Sequence, residues 1–167
     1  IVSNFIAKAI VAPINQIDLE SGKIDDLSGY DCAIIQLGVN DVIRYTTFGE
    51  TSETAFNNIF AKLKTANKNI KIFVANIIPA TSYHSSNYIA FSAALSEFIL
   101  GLNDKQIILL DMQQYGHTMD STAFNCGHLS AYGYWRLAQD YKNYIGWYMN
   151  QNKTAFKEVQ FIGTDYY

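Results

Sequence analysis

At its centre the chain reads Ile70-Lys71-Ile72-Phe73-Val74-Ala75-Asn76-Ile77-Ile78, a nearly continuous apolar run. Shorter runs of the same kind lie on either side of it, at Cys32–Leu37 and Gln106–Leu110. Short, continuous apolar runs that are rich in branched residues are typical of parallel strands covered on both faces. The three runs therefore predict a parallel sheet with helices on both of its sides.

Helical periodicity follows each predicted strand. Apolar residues recur at helical spacing in three stripes: Phe56, Ile59, Phe60 and Leu63; Phe91, Ala94, Leu95, Phe98, Ile99 and Leu102; and Tyr134, Leu137, Ala138, Tyr141, Ile145 and Tyr148. Thr51 or Ser52 is predicted as the N-cap of the first helix, and Ser130 as that of the third. Residues 4 to 12 carry the pattern of a further helix. The alternation of strands and helices predicts an open α/β sheet.

Length and charge restrict the classes of protein to which this chain can belong. The 167 residues are 49% apolar, which suits a single domain over residues 1–167 with a C-terminal tail at 150–167. The net charge is −3 and there is no basic patch, so we expect no nucleic-acid partner. No apolar run is long enough for a membrane span. The two cysteines, Cys32 and Cys126, have no metal-site or disulfide spacing.

Two segments with chemistry-bearing residues stand where such a sheet binds ligands, at the carboxyl ends of its strands. Gly38-Val39-Asn40-Asp41 follows the first strand, and Gly127-His128-Leu129-Ser130-Ala131-Tyr132-Gly133-Tyr134 opens the last helix. A neutral amide at a strand end can bind the oxyanion of acyl transfer, although Gly, Asn and Asp also form ordinary turns. A histidine in such a loop is either a general base or a structural residue.

Together, the two segments resemble the third and fifth sequence blocks of the SGNH (GDSL) hydrolases, which cleave esters with a serine nucleophile. The resemblance covers about Asp31 to Ile145. It implies a flavodoxin-like, three-layer α/β/α fold and an esterase activity. It further implies that His128 is the general base and acid and that Asn40 donates a hydrogen bond to the oxyanion. It requires neither a metal nor an organic cofactor.

The chain departs from the family pattern at two places. Three residues before His128, where the family has an orienting aspartate, this chain has Asn125. Asn125 could orient the imidazole without balancing its charge, Asp120 or Asp111 could reach in, or activity could be low or lost. The family's Gly-Asp-Ser motif does not occur, and Ser3 lacks the flanking residues. We therefore expect the serine to come from an upstream segment, and the fold as given to lack N-terminal strand(s).

The expected function is that of a serine esterase-type hydrolase of acyl or acetyl esters, with a small-molecule or carbohydrate ester as substrate. Cys126, close to His128, is an unfavoured alternative nucleophile, since nothing nearby lowers its pKa.

An alternative function is a non-catalytic glycan-binding or assembly module on an SGNH-like fold. A phosphate- or nucleotide-binding domain with a flavodoxin-like fold would need a glycine-rich loop, which the sequence lacks. The open strand at Cys32–Leu37 predicts self-association or an upstream segment that completes the sheet. The sequence leaves the compartment open.

Overall fold

The computed structural model describes residues 30–45, 47–78, 85–112, 124–125 and 128–155. In chain order its elements are β1 (Cys32–Ile35), α1 (Val39–Tyr45), α2 (Glu50–Ala66), β2 (Lys71–Ala75), α3 (Ser85–Gly101), β3 (Ile107–Leu110), β4 (Phe124–Asn125), β5 (His128–Leu129), α4 (Ala131–Gln151) and a 3₁₀ turn (Lys153–Ala155). The predictions at residues 4–12, Ser3, Asp120 and Cys126, and in the tail beyond Ala155, lie outside the described residues.

The predicted parallel sheet is confirmed, with β2 at its centre in the order β1-β2-β3. Ala33 is in register with Ile72, and Val74 is in register with Leu109. The strands are shorter than predicted, because the chain leaves the β1–β2 ladder after Ile35 and the β2–β3 ladder after Ala75. Beyond that point the backbone N–H of Ile77 donates to the Ser92 hydroxyl of α3, at 3.0 Å, instead of to a neighbouring strand.

Successive side chains of the sheet enter two separate cores, as the pleat requires. Ile72 and Val74 belong to a cluster that also takes side chains from α2 and α3, whereas Phe73 and Ala75 belong to a cluster with α4. All four side chains are fully buried. Burying one large apolar side chain contributes about 1.5–3 kcal/mol. Helices thus cover both faces, and the molecule is a three-layer α/β/α structure, as predicted.

The helix stripes agree with the sequence pattern in α2 and α3 but only in part in α4. Phe56, Ile59, Phe60 and Leu63 are all buried. In α4 the buried residues are Gly133, Leu137 and Ile145, whereas Tyr134 is 55% exposed. The row of residues through which α4 packs therefore begins at Gly133, one residue earlier than the predicted Tyr134.

The predicted N-cap of α2 is wrong. The cap is Gly49, which has no side chain to bond, and Ser52 is buried inside the helix. Two carboxylates, Glu50 and Glu53, lie in the first turn, where they interact favourably with the helix dipole. The predicted cap of α4 is confirmed, because the Ser130 hydroxyl accepts from the backbone N–H of Gly133 at 3.1 Å.

Candidate active site

The segment after β1 is organised around Gly38. This glycine is buried and has a φ of 118°, a conformation that residues with a Cβ rarely adopt. A Cβ at this position would lie 2.7 Å from Cε1 of Phe91 and 3.1 Å from Cδ1 of Ile77. The Gly38 carbonyl accepts from the N–H of Val42 at 2.9 Å and so starts α1. The close approach to α3 thus fixes where the chain turns out of the sheet.

Asn40 lies in the first turn of α1 and is exposed to solvent. The sequence allowed a simple turn here, whereas the structure has a short helix that begins at Val39. Helical geometry anchors the backbone of Asn40 while leaving the residue open to solvent. An amide in this position is accessible to a ligand arriving from outside the sheet.

A buried amide, Asn76, ties the ends of β2 and β3 together. Asn76 is 2% exposed, and its Nδ2 donates to Oδ1 of Asp111 at 2.7 Å and to the Ser96 hydroxyl at 3.1 Å. Its Oδ1 accepts from the backbone N–H of Met112 at 2.7 Å. The amide therefore uses both of its N–H bonds and its carbonyl, as a buried polar group must. Asp111 is held at the carboxyl end of β3 as a result.

Two serines of α3 support this arrangement. The Ser92 hydroxyl, which is 1% exposed, accepts from the N–H of Ile77 and donates to its carbonyl at 2.9 Å. Ser96 donates to the Ser92 carbonyl at 2.7 Å while it accepts from Asn76. The polar groups exposed where β2 ends are thereby paired with α3. Sequence reasoning missed this network, although a polar Asn76 inside an apolar run was the signal that could have found it.

A two-residue ladder brings Asn125 and His128 together. β4 and β5 are antiparallel, with Asn125 directly opposite His128 and Phe124 directly opposite Leu129. The predicted orienter and the predicted base are therefore neighbours across strands as well as close in sequence. Asn40 is on a separate element, and its approach to His128 stays a prediction.

The ladder leads directly into α4. Leu129 packs against the cluster that contains Leu110 and Met112, at the end of β3, and Leu137 of α4. Ser130 then caps the helix, and its carbonyl accepts from the N–H of Tyr134 at 2.9 Å. The backbone on the C-terminal side of His128 is therefore fixed by apolar packing at Leu129 and by a cap at Ser130.

Phenol groups of α4 line the face that meets the sheet. Burial, and then the carboxylate of Asp111, raise the pKa of Tyr144. Burial, and then Asp140, raise the pKa of Tyr141, whose buried hydroxyl finds no hydrogen-bond partner among the residues that the structure describes. These phenols stay protonated across the physiological range. The effect of Asp111 on Tyr144 also shows that α4 passes near the end of β3.

Cys32, at the start of β1, is unsuited to nucleophilic chemistry. It is buried, and burial followed by the nearby Asp31 raises the pKa of its thiol to about 12. Because the thiolate is the reactive species, this thiol is inert at neutral pH.

The described part of the chain shows neither a metal site nor a membrane-spanning helix. Within those residues, no cluster of three or more His, Cys, Asp or Glu residues could hold a metal ion. Among the helices that the structure describes, none combines the length and the apolar character that crossing a bilayer requires.

The chain resembles a solved protein structure but no known sequence family. No family model and no curated protein sequence matches the chain. The crystal structure of a carbohydrate esterase family 3 from Talaromyces cellulolyticus is similar, with a TM-score of 0.62 and 15% sequence identity. The match covers 84% of this chain and 70% of that chain. At this identity the likeness shows a shared α/β fold.

Proposed function

We propose that this chain belongs to a serine esterase-type hydrolase of the SGNH class that cleaves acyl or acetyl esters, including esters carried on carbohydrates. In this proposal His128 is the general base and acid, Asn40 binds the oxyanion, and Asn125 orients the imidazole. The nucleophile is the serine of a Gly-Asp-Ser motif, which the 167 residues do not contain and which an upstream segment would supply.

The chemistry of each step follows from these roles. His128 takes the serine proton as the hydroxyl oxygen attacks the ester carbonyl, and the side-chain N–H of Asn40 donates to the resulting oxyanion. The imidazolium then protonates the alcohol as the ester bond breaks. Water attacks the acyl-serine with His128 again as the base, which releases the acid and restores the serine. No metal or redox group enters this balance.

The observation that carries the proposal is the direct pairing of Asn125 with His128 immediately before the capped start of α4. An amide oxygen opposite an imidazole can accept its ring N–H and select one tautomer, which a general base needs. The fold shared with a carbohydrate esterase supports the same reaction class. Because that neighbour is a carbohydrate esterase, a carbohydrate ester is the proposed substrate.

The proposed triad has no carboxylate beside the imidazolium at position 125. An asparagine cannot balance the imidazolium charge, and exchanging aspartate for asparagine in a serine protease triad lowers turnover by about 10⁴. Asp111 is a carboxylate already held by Asn76 at the carboxyl edge of the sheet. If Asn125 is the orienter, Asn125→Asp should raise turnover. If that change has no effect while Asp111→Asn abolishes activity, the charge comes from Asp111.

The test is release of p-nitrophenol from p-nitrophenyl acetate by the full-length protein. His128→Ala should remove measurable turnover, and Asn40→Ala should lower it by about 10²–10³ if the amide binds the oxyanion. Asn57→Ala, on an exposed position of α2, is the matched amide control and should keep wild-type turnover. Equal rates in wild type and His128→Ala would remove the assignment of His128.

A second candidate function is a non-catalytic glycan-binding or assembly module on the same fold. Asn125 in place of an acid favours it, and so does the open side of β1, which pairs only with β2 in the described sheet. An upstream strand or a second copy of the chain could complete this sheet. The two functions differ in the same assay, because a binding module releases no p-nitrophenol.

A further inference from the structure

Aromatic side chains are exposed on the first turns of α4. Both tryptophans of the chain lie on this helix, with Trp135 58% exposed and Trp147 57% exposed. Tyr132, 51% exposed, stacks with Trp135 at a ring-centroid distance of 6.1 Å and an interplanar angle of 18°. The guanidinium carbon of Arg136 lies 5.7 Å from the Tyr132 ring centroid. Aromatic side chains normally add large buried area, so this exposed pair is not explained by packing.

The ring pair faces away from the sheet but lies close to the candidate active site along the chain. At 100° per residue, Tyr132 and Trp135 are on the side of α4 opposite Leu137 and Ile145, which are buried. A helix rises about 1.5 Å per residue, so the Trp135 backbone is only about 6 Å along the axis from the first residue of α4. His128 is four positions before Tyr132. The pair therefore lies on the first turns of α4, the helix that follows β5 in the chain and contacts it.

The surroundings of the pair fit a narrow ligand. Gln139, Lys142 and Asn143 continue the same side of α4 with polar groups. The apolar area is thus about two rings wide, whereas a protein interface of standard size buries about 800 Å² on each partner. Flat rings beside hydrogen-bonding side chains match a sugar, which has a C–H-rich face and hydroxyl groups around its edge.

We propose that Tyr132 and Trp135 form a saccharide-binding platform that holds the carbohydrate part of the substrate beside His128. The inference rests on the proposed function for the ester, but not for the binding of sugar. Trp135 packs its open face on the C–H face of a sugar unit, while Tyr132, stacked against Trp135 and covered by the Arg136 guanidinium, holds the tryptophan ring in place. A neutral chain is the expected ligand, because ring stacking supplies the contact and needs no charge.

Binding is measured by isothermal titration of the full-length protein with cellohexaose, a flat neutral chain, and with maltohexaose, a curved one. We expect cellohexaose to bind more tightly, since flat rings stack best on a flat chain. Trp135→Ala should raise its Kd about tenfold, equivalent to about 1.4 kcal/mol. Trp135→Phe, which keeps a ring, should recover most of the loss. Alanine is a good helix former, so the exposed substitution leaves α4 intact.

Trp147→Ala is the matched control, because it removes an equally exposed tryptophan from the same helix. It lies twelve positions beyond Trp135, about 18 Å along the axis, and should keep the wild-type Kd. Absence of cellohexaose binding by the wild type, or equal losses in both alanine variants, would overturn the platform. So would a Trp135→Ala protein that binds like wild type but changes from dimer to monomer in sedimentation, which would identify a self-association surface.

Kinetics separate this inference from the proposed function. With acetylated cello-oligosaccharide and p-nitrophenyl acetate as paired substrates, Trp135→Ala should lower the ratio of their kcat/KM values about tenfold, through KM of the sugar ester. A protein that binds cellohexaose through Trp135 but hydrolyses neither ester keeps the platform and loses the esterase. A protein that hydrolyses both esters with an unchanged ratio in Trp135→Ala keeps the esterase and loses the platform.

Discussion

Replacing Gly38 with alanine tests the close approach on which the start of α1 depends. The φ of 118° costs a residue with a Cβ about 1–2 kcal/mol. The added methyl would lie 2.7 Å from the Phe91 ring, and overpacking of this kind costs about 1–3 kcal/mol. Phe91 is fully buried and meets Phe48 edge-on at 5.2 Å, so it has little room to move. Together these terms predict a loss of about 2–5 kcal/mol in the free energy of unfolding.

The assay is urea unfolding followed by far-ultraviolet circular dichroism. Wild type and variant are compared with one shared m-value, the slope of the unfolding free energy against urea concentration. Gly146→Ala is the control, because its Cβ would meet nothing within 4 Å. It lies inside α4, where replacing glycine with alanine should stabilise by up to about 1 kcal/mol. A Gly38→Ala protein within about 0.5 kcal/mol of wild type, the range of an ordinary surface change, would refute the reasoning.

A double-mutant cycle separates the two costs. Phe91→Leu removes the ring atom nearest the new methyl group but leaves the backbone angle of Gly38 as it was. The double variant should therefore be more stable than the sum of the single losses predicts, by about 1 kcal/mol or more. Strict additivity would mean that the backbone angle alone carries the cost of the substitution.

Three further predictions follow from individual contacts. Ser130→Ala removes the cap of α4 and should lower the free energy of unfolding by about 1 kcal/mol, measured by urea unfolding; Ser130→Asp should keep most of it. In a Cys126→Ser background, the Cys32 thiol should not react with Ellman's reagent at pH 8 until urea unfolds the protein, because burial raises its pKa to about 12; a rapid native reaction would contradict this. The hydrogen bond from Lys64 lowers the pKa of Asp104, so the pair stabilises the fold above the unfolded pKa and loses that effect as pH falls through the folded one. Asp104→Asn should thus lower the free energy of unfolding by less than about 1 kcal/mol at pH 7, because the pair is partly exposed, and by less still at pH 3. A loss that grows towards pH 3 would contradict the predicted pH dependence.

Parts of the candidate active site could be predicted from the sequence because they depend on neighbours along the chain. Ser130 was recognisable as a cap, since a capping serine bonds to a residue three positions later. Asn125 and His128 are three apart in sequence, a spacing that allows direct pairing in a tight antiparallel ladder. Asn76 could not be assigned a role, because its partners Asp111 and Ser96 are 35 and 20 positions away.

The sequence by itself determined the class of the fold. Branched apolar runs fix buried parallel strands, and stripes at helical spacing fix the amphipathic helices, because burial selects side chains with the period of each element. The tertiary structure decided where those elements end and which polar groups meet. β2 stops at Ala75 because Ser92 of α3 takes over the backbone hydrogen bonds of Ile77, and the turn after β1 needs Gly38 because Phe91 fills the space of a Cβ. Such contacts join residues far apart in sequence, so no local pattern encodes them.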